Sequence, residues 1–190
     1  MCLHKIFYTT KSRQELIQAL LRLMKNNNYQ LITVSEISDE AQLSRRTFYR
    51  IYDSKNDILE DIFYQLSEDY KAFLQKEKHY SFDLMVGKYF EFWEMHMTLL
   101  TIILEQGLFY QLIKEINRHL PRIYEEIKGE KCQCHASFDK SLTLMACSGA
   151  LWNILKLWVS FDTRPRPIEM VNYIKNTVSS INNSIQSKGN

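Results

Sequence analysis

Apolar residues recur along this chain with the period of a helix, and short polar clusters interrupt them. Leu16, Ile17, Leu20, Leu23 and Met24 fall at i, i+1, i+4, i+7 and i+8, a stripe on one side of a helix over residues 11–26. Asn26, Asn27 and Asn28 are expected to end it, because asparagine tolerates the left-handed conformation just past a helix end. Tyr29, Leu31 and Ile32 are expected to return to the core. Thr33 and Glu36 have the spacing of a capping box, in which the hydroxyl accepts one orphan amide and the carboxylate reaches back to another. They open a helix over 34–41 that buries Val34, Ile37 and Ala41. Ser44 caps the next helix, RRTFYRIY, with Phe48, Ile51 and Tyr52 inward and Arg45, Arg46, Tyr49 and Arg50 outward or on its flanks. Ser54 and Asp57 start another. There Ile58, Ile62, Leu66, Tyr70 and Phe73 keep 3–4 spacing to about residue 76. Three helix starts this close together predict a helix-turn-helix whose last helix runs on as a mechanical link.

The second half continues in the same period. Helices are predicted over 82–95, over 98–105 with a stop near Gly107, over 108–128 with Pro121 kinking or restarting it, over 137–161 and over 167–185. Five glycines, three prolines and a 45% hydrophobic content fit an all-α chain with a sizeable core. The expected organisation is an N-terminal three-helix domain over 1–54, a connecting helix over 55–76, and a helical C-terminal domain over 77–190.

Net charge is only +2, but it is unevenly placed. Residues 1–60 hold nine Lys/Arg and seven Asp/Glu, and the remaining 130 hold fifteen of each, so the whole excess lies in the first third. Arg45 and Arg46 occupy the first turn of a capped helix, the end whose dipole prefers anions. A polyanion close by relieves that conflict, and DNA is the natural one. No apolar run followed by a cleavage site opens the chain, no stretch approaches ~20 uninterrupted apolar residues, and the four cysteines form no secretory framework. No membrane partner and a cytoplasmic location are therefore expected. Gly-rich phosphate loops, paired-His metal motifs and nucleophile elbows are absent from the sequence, so no enzyme and no cofactor are expected.

The combined pattern resembles the DNA-binding domain of the TetR family of bacterial transcriptional regulators. The resemblance covers residues 12–60 and is carried by Thr33, Val34, Ile37, Ala41, Ser44, Thr47, Phe48, Tyr49, Ser54, Lys55 and Leu59. Two positions depart from the family: Gln42 stands where a turn glycine is common, and Arg46 where a small residue is common. The resemblance implies a regulator that binds a double-stranded operator as a homodimer, a repressor released when a small-molecule effector enters the C-terminal domain. It implies DNA contacts from Thr33, Ser44, Arg45, Arg46, Thr47, Tyr49 and Lys55. Arg45 or Arg46 would read a guanine edge, Thr47 and Tyr49 would touch phosphate, and Lys55 would anchor to the backbone. Arg50 is expected to pair with Asp53 instead. Gln42 and the small net charge keep a second class open, an interaction module that docks on another regulator as a co-activator and binds DNA poorly.

The same resemblance places dimerisation on the last two helices, through Gly149, Ile154, Leu157, Val171, Ile174 and Val178, with Leu142 and Met145 beside them. Trp93, His96 and Trp152 are candidate ligand-binding residues, although aromatics of this kind also fill ordinary cores. Cys132, Cys134 and His135 are soft metal-ligand types within four residues, yet no second ligand pair accompanies them, so a loop with incidental cysteines and no metal is expected, redox sensing being the lesser alternative. Cys147 is expected to be core packing.

Overall fold

The structure, a computed structural model, describes residues 11–77, 79–128 and 138–186. Among them are nine helices and no strand: α1 (Lys11–Met24), α2 (Val34–Glu40), α3 (Arg45–Ile51), α4 (Lys55–Leu74), α5 (Phe82–Met95), α6 (Met97–Glu105), α7 (Phe109–Lys128), α8 (Phe138–Val159) and α9 (Pro167–Gln186). The all-α expectation holds. Two compact units divide the chain. One takes residues up to Glu68 together with Ile102–His119, and the other takes Asp69–Thr101 with the residues from Leu120 onward. The C-terminal domain expected over 77–190 is therefore not one packing unit, because 102–119 pack with the head. The chain crosses between units inside α4, inside α6 and inside α7, which continues as helix through Pro121.

In the first unit α1 packs against α2 and α3 around Leu16, Leu20, Met24, Ile37 and Phe48, all essentially buried. α1 does not end through a left-handed asparagine. Instead the Asn27 side chain donates to the Leu23 carbonyl at 3.1 Å, and Asn28 Oδ1 accepts from the Gln30 amide at 2.9 Å. Leu31 is 76% exposed rather than in the core. A buried carboxylate ties three helices: Asp61 of α4 accepts Arg13 Nε of α1 at 2.7 Å on Oδ2, faces Arg13 Nη2 at 2.6 Å through Oδ1, and accepts the Tyr52 hydroxyl at 2.6 Å. Burial first, and then Asp61, hold the Tyr52 phenol far above its ordinary pKa, so it stays a donor.

In the same unit Gln106, just past α6, fills three backbone bonds in the loop after α1. Its Nε2 donates to the carbonyls of Met24 at 2.7 Å and Asn27 at 3.0 Å, and its Oε1 accepts the Tyr29 amide at 2.7 Å. α6 closes as expected at Gly107 (φ 69), where Leu108 N bonds Ile103 O at 2.9 Å and Gly107 N bonds Leu104 O at 3.1 Å, the Schellman pattern.

In the second unit α9 runs antiparallel along α5. Gly87 faces Val171, and Lys175 Nζ donates to Asp83 at 2.8 Å. Val171 and Ile174 are consequently buried within the unit. Val178 continues their stripe past the start of α5 and is exposed. Aromatic rings of α5 and α8 fill the interior, Trp93 lying 5.5 Å from Trp152 and Phe90 lying 5.3 Å from Trp158. The outer side of α8 is apolar and open: Leu142, Met145 and Leu157 are exposed, and so is Cys147, which is not core packing. Ser141–Val159 is long and apolar enough to cross a membrane by length and composition, a point missed by counting uninterrupted runs, and only 17% of that window is buried. Cys132, Cys134 and His135 lie outside the described residues, among which no His/Cys/Asp/Glu cluster could hold a metal.

Asp61→Ala would remove the carboxylate that the half-buried Arg13 guanidinium pairs with and take the acceptor from the Tyr52 hydroxyl. It is expected to lower unfolding stability by about 3 kcal/mol in a urea titration; a change under about 0.5 kcal/mol would show that the pair carries little.

Candidate nucleic-acid interface

The turn before α3 sets the direction of that helix. α2 ends in the same Schellman pattern as α6: Leu43 N bonds Ser38 O at 2.9 Å and Gln42 N bonds Asp39 O at 3.0 Å. The left-handed residue here is Gln42, φ 55, the one non-glycine residue with positive φ among those described. Holding a side chain there costs on the order of 1 kcal/mol relative to glycine, so the turn is achieved without the residue usually chosen for it. The capping box of α2 forms as expected, with Glu36 N donating to Thr33 Oγ1 at 3.2 Å and Thr33 N donating to Glu36 at 2.7 Å. The Thr33 hydroxyl donates to the same carboxylate at 2.7 Å, and these bonds hold Glu36 below the usual carboxylate range.

Ser44 caps α3, accepting from Thr47 N at 3.1 Å, and its hydroxyl lies 3.0 Å from Thr47 Oγ1. Those hydroxyls build the start of the helix. They offer a phosphate only the capacity left over from each other. Phe48 is fully buried beneath, which turns the opposite face outward. Arg45, Arg46 and Arg50 are exposed, and none has an ion-pair partner among the described residues. Arg50 therefore does not pair with Asp53. Tyr49 is 56% exposed, its ring edge-on to Phe48 at 5.4 Å. The result is a rod of seven residues, about 10 Å long, carrying three unpaired guanidiniums and a phenol. A B-DNA major groove, about 12 Å wide, accepts such a rod, and the guanidinium fork matches guanine O6 and N7.

Lys55 does not belong to that face. Its ammonium donates to the carbonyls of Tyr29 at 2.7 Å, Gln30 at 2.9 Å and Ile32 at 2.8 Å, and lies 4.8 Å from the centre of the Tyr29 ring. An ammonium has three donors, and all three are taken, leaving none for phosphate. Burial pulls its pKa down, and Glu36 partly offsets this. Next to it Asn56 accepts the Tyr29 hydroxyl at 2.6 Å, so the start of α4 grips the loop before α2. Asp61, Gln106 and this grip were not found from sequence: the partners lie 9 to 82 positions apart, and no local pattern signals them.

The remaining candidates divide. Trp93 (2% exposed) and Trp152 (4%) sit in the core of the second unit, while His96 is half-buried against Phe92, ring centres 4.4 Å apart, with burial lowering its pKa. Gly149 has open space where a side chain would point. Leu157 and Val178 are exposed and Ile154 is half-buried, whereas Val171 and Ile174 are turned inward and unavailable to a partner.

Residues 16–62 match the model of bacterial regulatory proteins of the tetR family. The HTH-type transcriptional regulator YxbF of Bacillus subtilis (strain 168) is 29% identical over 110 residues, which are 52% of this chain but only 28% of that relative's length. Among solved structures, the dihydroxyacetone kinase operon activator DhaS superposes with a TM-score of 0.55 at 15% identity, covering 90% of this chain and 96% of its own. The fatty acid degradation regulator FadR from Bacillus halodurans gives 0.58 at 17% identity, covering 87% and 93%. At those identities the structures establish a shared fold.

Lys55→Met is expected to destabilise the protein by about 2 kcal/mol in thermal unfolding, while leaving the salt dependence of DNA binding unchanged. Loss of a phosphate contact would instead lower the slope of log affinity against log salt by about 0.9.

Proposed function

We propose that this chain, whose residues 16–62 match the tetR family of bacterial regulatory proteins, works as a homodimeric transcriptional repressor whose two heads grip a palindromic operator and let go when a small molecule occupies the C-terminal unit. Transcriptional regulation through DNA is the family's business, and catalysis is not. The observation that carries the reading is the pair Arg45 and Arg46, exposed and unpaired at the leading end of a capped, anchored helix. In this reading they read base edges, Tyr49 and Thr47 touch phosphate, and the protein acts in the cytoplasm, where the DNA is.

One head supplies few phosphate contacts, so specific binding calls for two heads related by a two-fold axis. The outer face of α8 supports the dimer. Leu142, Met145 and Leu157 there, with Val178 on α9, are large apolar groups left in water, and a helix apolar all round needs cover on every side. Gly149 would allow close approach of a second copy. The repressor sign comes from the resemblance; DhaS, an activator, has the same fold, so promoter activity with and without the chain decides the sign. Gln42 adopts the left-handed conformation that the turn requires, which removes one ground for the interaction-module alternative.

Two measurements test this. Arg45→Ala with Arg46→Ala should erase preference for a selected operator over random duplex, at about 1–3 kcal/mol for each bidentate contact; undiminished selection would assign reading to other residues. Leu157→Glu should convert a dimer into a monomer in sedimentation and weaken operator binding, whereas a wild-type chain that sediments as a monomer would refute the two-headed arrangement.

A further inference from the structure

The second unit buries a polar group that its own fold does not satisfy. Tyr89 of α5 is 6% exposed, and its hydroxyl has no hydrogen-bond partner. Aromatic rings surround it: Phe90 at 5.3 Å, Trp152 at 5.9 Å, and Trp93 and Tyr70 at 6.4 Å between ring centres. Burial pushes the phenol well above its ordinary pKa, Tyr70 adds to this, and the Trp93 indole partly offsets it from outside hydrogen-bonding geometry. The hydroxyl is therefore neutral, able to donate or accept. Leaving it unpaired costs stability, and phenylalanine would fill the same space without that cost.

We infer that Tyr89 is the polar anchor for an uncharged, flat, largely apolar effector carrying one hydrogen-bonding oxygen, held among Trp93, Trp152 and Tyr70. The inference rests on the ligand-response reading and names the class of ligand. A buried water is a poorer partner for the hydroxyl, since water needs two to four polar neighbours. Besides Tyr89, the buried side chains of this unit that carry a polar atom are, among the described residues, Ser148 and the tryptophans Trp93, Trp152 and Trp158, whose indole N–H groups can donate to a water but cannot accept from it. An ionic ligand is disfavoured for a similar reason. None of the unit's described charged side chains is buried; Arg122, whose Nε is enclosed, has its side chain 41% exposed and faces Glu126. Flat π-systems suit the edges and faces that this cluster offers.

The test uses the full chain and Tyr89→Phe with two probes that differ by one hydroxyl, 2-naphthol and naphthalene, followed by tryptophan fluorescence. The wild type should bind 2-naphthol about tenfold more tightly than naphthalene, the ratio that one net hydrogen bond supplies. Tyr89→Phe should bind both with the affinity the wild type has for naphthalene, and should melt no lower than the wild type. The assignment is overturned if the variant keeps the preference, if it loses naphthalene as well, if it melts lower, or if neither probe binds the wild type. Operator binding measured on the same samples separates these results from the regulator reading: selective DNA binding without probe binding removes the anchor and leaves the regulator standing.

Discussion

The contact on which the head depends is the carboxylate of Asp61 beneath the end of α3. A helix of seven residues has no stability of its own. α3 is held by Phe48 in the core and by the Tyr52 hydroxyl on Asp61, which also holds Arg13 of α1. One buried group thus fixes Tyr52, the residue that caps the end of α3, against α1 and α4. Burying such a pair gains little over well-packed apolar groups. What it contributes is direction, because a short hydrogen bond fixes an angle that greasy contacts leave loose. Arg45 and Arg46 at the other end of α3 are thereby presented outward at a set inclination.

The local grammar of the head was legible. Thr33 with Glu36, Ser44 with Thr47 and the stop at Gly107 are all interactions within a few residues, and each formed as its spacing required. The outward turn of Arg45, Arg46 and Tyr49 followed from the position of Phe48. What failed to be legible depends on distant partners. Lys55 looked like a phosphate anchor because sequence reveals a charge but not which carbonyls will surround it. Val171, Ile174 and Val178 read as one stripe, and they are one. The stripe simply outruns α5, so its first part is consumed internally and its end is left bare. Asn26 to Asn28 ended α1 through their side chains, a choice open to asparagine alongside the left-handed backbone.

The C-terminal unit shows a second contrast, between what it hides and what it leaves out. Its interior is built from rings packed edge to face, including Trp93 against Trp152, and takes in almost no polar atoms. Its exterior along α8 keeps leucine and methionine in contact with water. The first condition stabilises the unit, and the second is costly for a chain standing alone in water. Trp93 and Trp152, singled out from sequence as candidate ligand-binding residues, lie in this interior, and the unpartnered hydroxyl there belongs to Tyr89, which was not among them.

Gln106 and its neighbours carry a lesson for dissection. The loop after α1 takes two of its carbonyl partners and one of its amide partners from a side chain some eighty positions downstream, and Ile103, Leu108, Leu112 and Ile116 are buried in the same unit. A fragment cut after the linker helix would expose a raw apolar wall and three orphaned backbone groups. The portion that touches genes cannot be excised or grafted as a continuous ribbon, and chimeras swapping heads between relatives must carry that distant segment along.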